Sequence, residues 1–100
     1  MAIAIDLDGT LAEYHGFVGD HHIGQPIVKM LDFAKGLIKD GHEVVIFTAR
    51  ADSQESIKYI EKWLDRHGLP GLIITNIKLK SFEKIYDDRA IRVERNKGIF

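Results

Sequence analysis

Ala2-Ile3-Ala4-Ile5-Asp6-Leu7-Asp8-Gly9-Thr10 is the stretch that the rest of the chain is organised around. Four small or β-prone apolar residues run straight into a carboxylate pair, then into Gly and Thr. That order predicts a buried strand opening into a tight polar turn. Two acids at i and i+2 share one face if the strand continues. If it stops at Asp6, the Asp6 side chain and a nearby backbone carbonyl converge on one cation instead. Gly9 lets the backbone bend at that point, and Thr10 leaves a hydroxyl beside the site.

Length and composition bound what such a site can belong to. One hundred residues, 45% of them hydrophobic, with a formal net charge of −1, predict one domain over residues 1–100 with a core of its own. Cysteine is absent, which excludes disulfides and thiolate metal sites. No apolar run approaches the ~20 residues that a membrane-crossing helix needs. The first residues lack the basic and apolar regions of a signal peptide, so a cytoplasmic, soluble domain is expected. Charge is segregated along the chain. Asp6, Asp8, Glu13 and Asp20 precede the first basic residue, Lys29, whereas bases outnumber acids from Lys78 onward. A cation held early and an anionic substrate drawn late would use that asymmetry. A solvated edge would show it equally.

Downstream, the elements alternate. Residues 11–25 have no sustained period and read as a loop or short hairpin just beyond the acid pair, with His15, His21 and His22 as flap histidines that match no common zinc spacing. Pro26 suits the first turn of a helix. Ile27, Met30, Leu31, Ala34, Leu37 and Ile38 keep one apolar face through residue 40, and Gly41 stands at the C′ position. Glu43 to Thr48 reads as a buried strand. Asp52, with Glu55 three residues on, reads as the N-cap of a helix that buries Ile57, Ile60, Trp63 and Leu64 and stops at Gly68 and Pro70. Leu72 to Thr75 forms a third strand, Glu83 to Tyr86 a fourth, and Ile91 to Val93 a last short one.

Strand and helix alternating in this way predict an α/β fold with a mainly parallel sheet covered by helices. In such sheets the loops after the carboxyl ends of the strands gather at one edge. Asp6 and Asp8, Thr48, Asn76 with Lys78, and Asp87 with Asp88 each follow a strand. Carboxylates from two strand ends make an all-oxygen site that suits Mg²⁺ better than zinc. A hydroxyl and a lysine nearby can hold phosphoryl oxygens, and a second carboxylate can protonate a leaving alcohol. Phosphoryl transfer through an aspartyl phosphate on Asp6 is the chemistry that this set allows.

With these residues in place, the chain resembles a haloacid dehalogenase superfamily phosphatase over nearly its whole length. DLDGT at Asp6 to Thr10, FTAR at Phe47 to Arg50, a lysine after ITN, and YDDRA at Tyr86 to Ala90 fall in that family's order. The resemblance implies a three-layer, Rossmann-like α/β domain and a Mg²⁺ cofactor. It implies that Asp6 attacks phosphorus, and that Asp8 protonates the leaving group and later activates water. Thr48 would bind a phosphoryl oxygen. Asp6, the Asp8 backbone carbonyl, and Asp87 or Asp88 would hold the metal.

Lys78 stands where Asn-x-Lys places the phosphate-clamping lysine, and Lys80, two residues on, is the alternative. The candidate substrate-binding set is Gly9, Thr10, Thr48, Ala49, Arg50 and Arg89. The two arginines are open to pairing with neighbouring acids instead. Between the motifs there is room for one loop and one or two elements only, so the domain is expected to be a minimal, capless one. In such families an open site goes with large substrates, such as nucleic-acid ends or phosphoproteins, or with a cap supplied by another subunit of a homo-oligomer; the expected partner is a phosphorylated small molecule or a nucleic-acid end. Two other classes fit less of the pattern. A receiver-like phospho-acceptor orders its Asp, Thr and Lys differently, and a catalytically silent binding module has no need of intact Asp6 and Asp8.

Overall fold

The computed structural model describes residues 1–100 as β1 (Ala2–Ile5), α1 (Val28–Lys39), β2 (Glu43–Phe47), α2 (Gln54–Arg66), β3 (Ile73–Thr75) and β4 (Phe82–Tyr86). All strand pairs are parallel, in the order β3-β2-β1-β4. The α/β class and the parallel sheet are as the alternation predicts. Placing β1 at an inner position is the consequential feature, because both of its neighbours then end beside Asp6.

Period-two alternation decides which side chains meet the helices. Ile3 and Ile5 of β1 and Val44 and Ile46 of β2 face Leu31 and Ala34 of α1 and Ile60, Trp63 and Leu64 of α2 in one buried cluster. Both helices therefore lie on the same side of the sheet. Ala2, Ala4 and Val45, also fully or nearly fully buried, point to the other side. There the rings of Phe47 and Phe82 meet edge to face at 5.4 Å. The link from β3 to β4, residues 76–81, carries no helix. It joins the β1 end through a hydrogen bond from Ala2 N–H to the Ser81 carbonyl at 2.6 Å. With both helices on one side and no helix in this connection, the domain has two layers of regular structure, not the expected three.

Both helices stop where glycine makes stopping easy. Gly41 and Gly68 have φ of +89° and +82°. Each C′ amide bonds back three residues, and the next amide, of His42 or Leu69, reaches five residues back to Leu37 or Leu64. That pair of bonds satisfies carbonyls that a helix end otherwise leaves open. Trp63 is core, as expected. It is buried, and its Nε1–H donates to the Gly24 carbonyl at 2.9 Å, anchoring the long first loop.

Three expected boundaries move. Pro26 precedes α1 rather than opening it: Pro26 bridges Ala12, and Ile27 is extended, its N–H donating to the Leu11 carbonyl at 2.8 Å, so the helix begins two residues later, at Val28. The α2 cap is Ser53, whose Oγ accepts the Ser56 N–H at 3.1 Å, not Asp52. No strand forms at Ile91 to Val93. Ile91 and Val93 are exposed, and the segment pairs with neither edge strand, β3 nor β4. Ser53→Ala should cost about 1 kcal/mol of stability in urea unfolding, and Asp52→Ala only a small fraction of that. The reverse order would return the cap to Asp52.

Candidate functional site

Asp6 begins where β1 stops. Its N–H donates to the Tyr86 carbonyl at 2.9 Å, extending the ladder in which Ile5 opposes Tyr86. The register thus carries Asp87 and Asp88 alongside Asp6. The three carboxylates bring one oxygen each to within 4.8 Å of one another. Burial first, then the charge of Asp87, pushes the Asp6 carboxyl up from 3.8 to about 7. Three oxygens this close, from two strand ends, could hold a hard cation.

Asp88 is held by Thr10. The Thr10 hydroxyl donates to Asp88 Oδ1 at 3.1 Å and accepts the Asp88 N–H at 3.0 Å. Asp87 Oδ1 accepts the Arg89 N–H at 2.8 Å. Gly9 has φ +86°, and a Cβ there would meet the Asp88 carboxylate at 2.5 Å. Gly9 and buried Thr10 therefore position an acid, and neither lines the cavity described below.

Asp8 takes no part in that cluster. Its Oδ2 accepts from Arg50 Nε at 2.6 Å and its Oδ1 from Arg50 Nη2 at 3.1 Å. Arg50 is 8% exposed. Its Nη1 donates to the carbonyls of Gly19 and Asp20 at 3.3 and 3.4 Å, and its guanidinium lies 5.3 Å from the centre of the Phe17 ring. Of the two roles open to Arg50 in the sequence, pairing with an acid is the one it adopts. Its own N–H donates to Thr48 Oγ1 at 3.2 Å, which fixes that buried hydroxyl.

A cavity of about 670 Å³ opens at this edge of the sheet. Asp6, Asp8, Thr48, Asp87 and Asp88 all line it, and so do Ala49, Arg50, Arg89 and Asn76. Lys78 and Lys80 lie exposed on the β3–β4 connection and are not in its wall. His15, His21 and His22 are exposed loop residues, as a flap would have them. Tyr14, Phe17 and Asp20 also line the cavity, which residue spacing did not indicate. The only available signal was two aromatic residues in a glycine-rich segment directly after the acid pair.

No protein family model matches the chain, and no curated protein matches it. Among solved structures it is similar to a conserved protein from Bacteroides thetaiotaomicron. The TM-score is 0.73 at 24% identity, covering 91% of this chain and 78% of that one. That likeness shows the fold. No helix is long and apolar enough to cross a membrane.

The acid cluster sets a pH dependence. The folded-state value for Asp6, about 7, lies above the ordinary 3.8, so the folded protein holds a proton that the unfolded chain has lost between those values. Its contribution to stability is full below the lower value and is lost as pH rises through the higher one. Metal-free protein should therefore lose melting temperature from about pH 5 to pH 7 and then level off. Asp6→Asn should remove that part of the slope. A wild-type slope shared unchanged by the variant would assign it to other groups.

Proposed function

We propose that the chain is a Mg²⁺-dependent phosphatase that hydrolyses phosphate monoesters through an aspartyl phosphate on Asp6. The observation that carries this reading is the shared cavity: Asp6, clustered with Asp87 and Asp88, opens onto the same space as Asp8 and Thr48. The order of the four motifs supports the same assignment. Mg²⁺ held by Asp6 and Asp87 or Asp88, with the Asp8 carbonyl, would offset the negative charge of the phosphoryl group.

The chain's own residues divide the work in two steps. An Asp6 oxygen bonds to phosphorus as the ester bond breaks, and the Asp8 carboxylic acid gives its proton to the departing oxygen. Asp8, now a carboxylate, takes a proton from water as that water attacks phosphorus. The bond between phosphorus and Asp6 breaks, and inorganic phosphate leaves. Thr48 is placed to hold a phosphoryl oxygen. Arg89, which lines the cavity, would offset phosphoryl charge there, whereas Lys78 and Lys80 stand outside its wall. Both Asp8 oxygens accept from Arg50, so proton donation requires one of them to come free when the substrate enters.

Phosphate release from a panel of phosphosugars, nucleotides and end-phosphorylated oligonucleotides, with and without Mg²⁺, tests the reading, with Asp6→Asn as the inactive control. The sharper test is the intermediate. Asp8→Asn should turn over alkyl monoesters very slowly. A nitrophenyl phosphate needs little protonation of its leaving group and should still phosphorylate this variant, giving a mass gain that hydroxylamine removes. Asp6→Asn should show no adduct with any ester, and an Asp8→Asn protein that also showed none would overturn the division of roles. Asp87→Asn should weaken the thermal stabilisation that Mg²⁺ gives at fixed pH, because a site with few protein ligands cannot spare one.

A further inference from the structure

We infer that Tyr14 and Phe17 form a platform for a planar ring carried by the substrate's leaving group. The inference rests on the phosphatase reading and narrows its substrate class to phosphate monoesters of ring-bearing alcohols, such as nucleoside 5′-phosphates. The argument follows a chain of contacts. The leaving oxygen must lie beside Asp8, which gives it a proton. Asp8 is bound by Arg50 at 2.6 and 3.1 Å, and Arg50 lies against the Phe17 ring at 5.3 Å. Phe17 therefore stands one residue from Asp8, across Arg50, on the wall of the same cavity.

The wall on that side is aromatic and unfilled. Phe17 is 59% exposed and Tyr14 47% exposed, yet both line the cavity. Exposed aromatic rings beside a phosphate-sized polar floor offer a stacking surface with little other purpose in the fold. A cavity of about 670 Å³ has room for a ring beyond the phosphoryl group. The Phe17 ring is also oriented before any ligand arrives, since its contact with Arg50 is a cation–π pair. Arg50 in turn is fixed by Asp8 and by the carbonyls of Gly19 and Asp20.

Adenosine 5′-monophosphate and ribose 5-phosphate share one leaving hydroxyl and differ in the base, so their kcat/KM ratio isolates the platform. The wild-type protein with Mg²⁺ should favour the nucleotide on the order of tenfold, the scale of one base–aromatic stack. Phe17→Ala and Tyr14→Ala should each bring the ratio toward one, chiefly through KM for the nucleotide. Phe17→Tyr, which keeps a ring, should retain the preference, whereas Phe17→Leu, apolar but not aromatic, should lose it. Hydrolysis of both esters with a wild-type ratio near one, or a ratio that survives Phe17→Ala and Tyr14→Ala, would overturn the platform and leave the phosphatase reading standing. Hydrolysis of neither, with no adduct on Asp6, would overturn both.

Discussion

A guanidinium buried beside a sheet edge must find a carboxylate and enough acceptors, and much of this site follows from how Arg50 does so. Arg50 sits just past β2 and Asp8 just past β1, so their two-pronged contact ties the ends of adjacent strands together. Its remaining donors reach the Gly19 and Asp20 carbonyls, which draws the first loop over the cavity. Through its own backbone it fixes the Thr48 hydroxyl. Removing either charge would leave the other desolvated and unpaired, a larger loss than that of an exposed ion pair. Arg50, through side chain and backbone together, thus sets the place of Asp8, the Thr48 hydroxyl and the first loop.

The second constraint is repulsion. Asp6, Asp87 and Asp88 are brought together by backbone register, not by mutual attraction. The ladder between β1 and β4 holds them against their charge, and the Thr10 hydroxyl bonds Asp88 from both its side chain and its backbone. Burial first, then the charge of Asp87, pushes the Asp6 carboxyl up. Held this close, the three carboxylates cost stability on their own, and their oxygens could hold a metal ion.

How far the sequence reveals this depends on the range of the interaction. The first four strands, both helices and the meeting of Asp6, Asp8, Thr48, Asp87 and Asp88 are legible, because apolar periodicity marks the elements and a parallel sheet gathers the ends of its strands. The α2 cap misleads by one position, since Asp52 and Ser53 are both good capping residues and only backbone geometry chooses between them. Pro26 misleads because a long-range bond from Ile27 to Leu11 claims the amide that would have begun the helix. The β-prone Ile91 to Val93 segment pairs with neither edge strand. Arg50 is ambiguous in sequence because both of its possible partners are carried by distant segments. Tyr14 and Phe17 are illegible for the same reason: no local period marks a loop whose position is set by residues about thirty positions away.

Both helices lie on one face, and the other carries the paired rings of Phe47 and Phe82 and no helix. Nothing inserted between the motifs is large enough to close over the cavity, so the first loop alone can shape the entrance. That loop takes its position from Arg50, the residue that also binds both oxygens of Asp8. The first loop and the Asp8 carboxylate are therefore tied to one guanidinium. A ligand that rearranges the contact between Phe17 and Arg50 also changes the hydrogen bonds of Asp8. In a domain this small, the entrance loop and the acid form a single unit, and neither can be altered without the other.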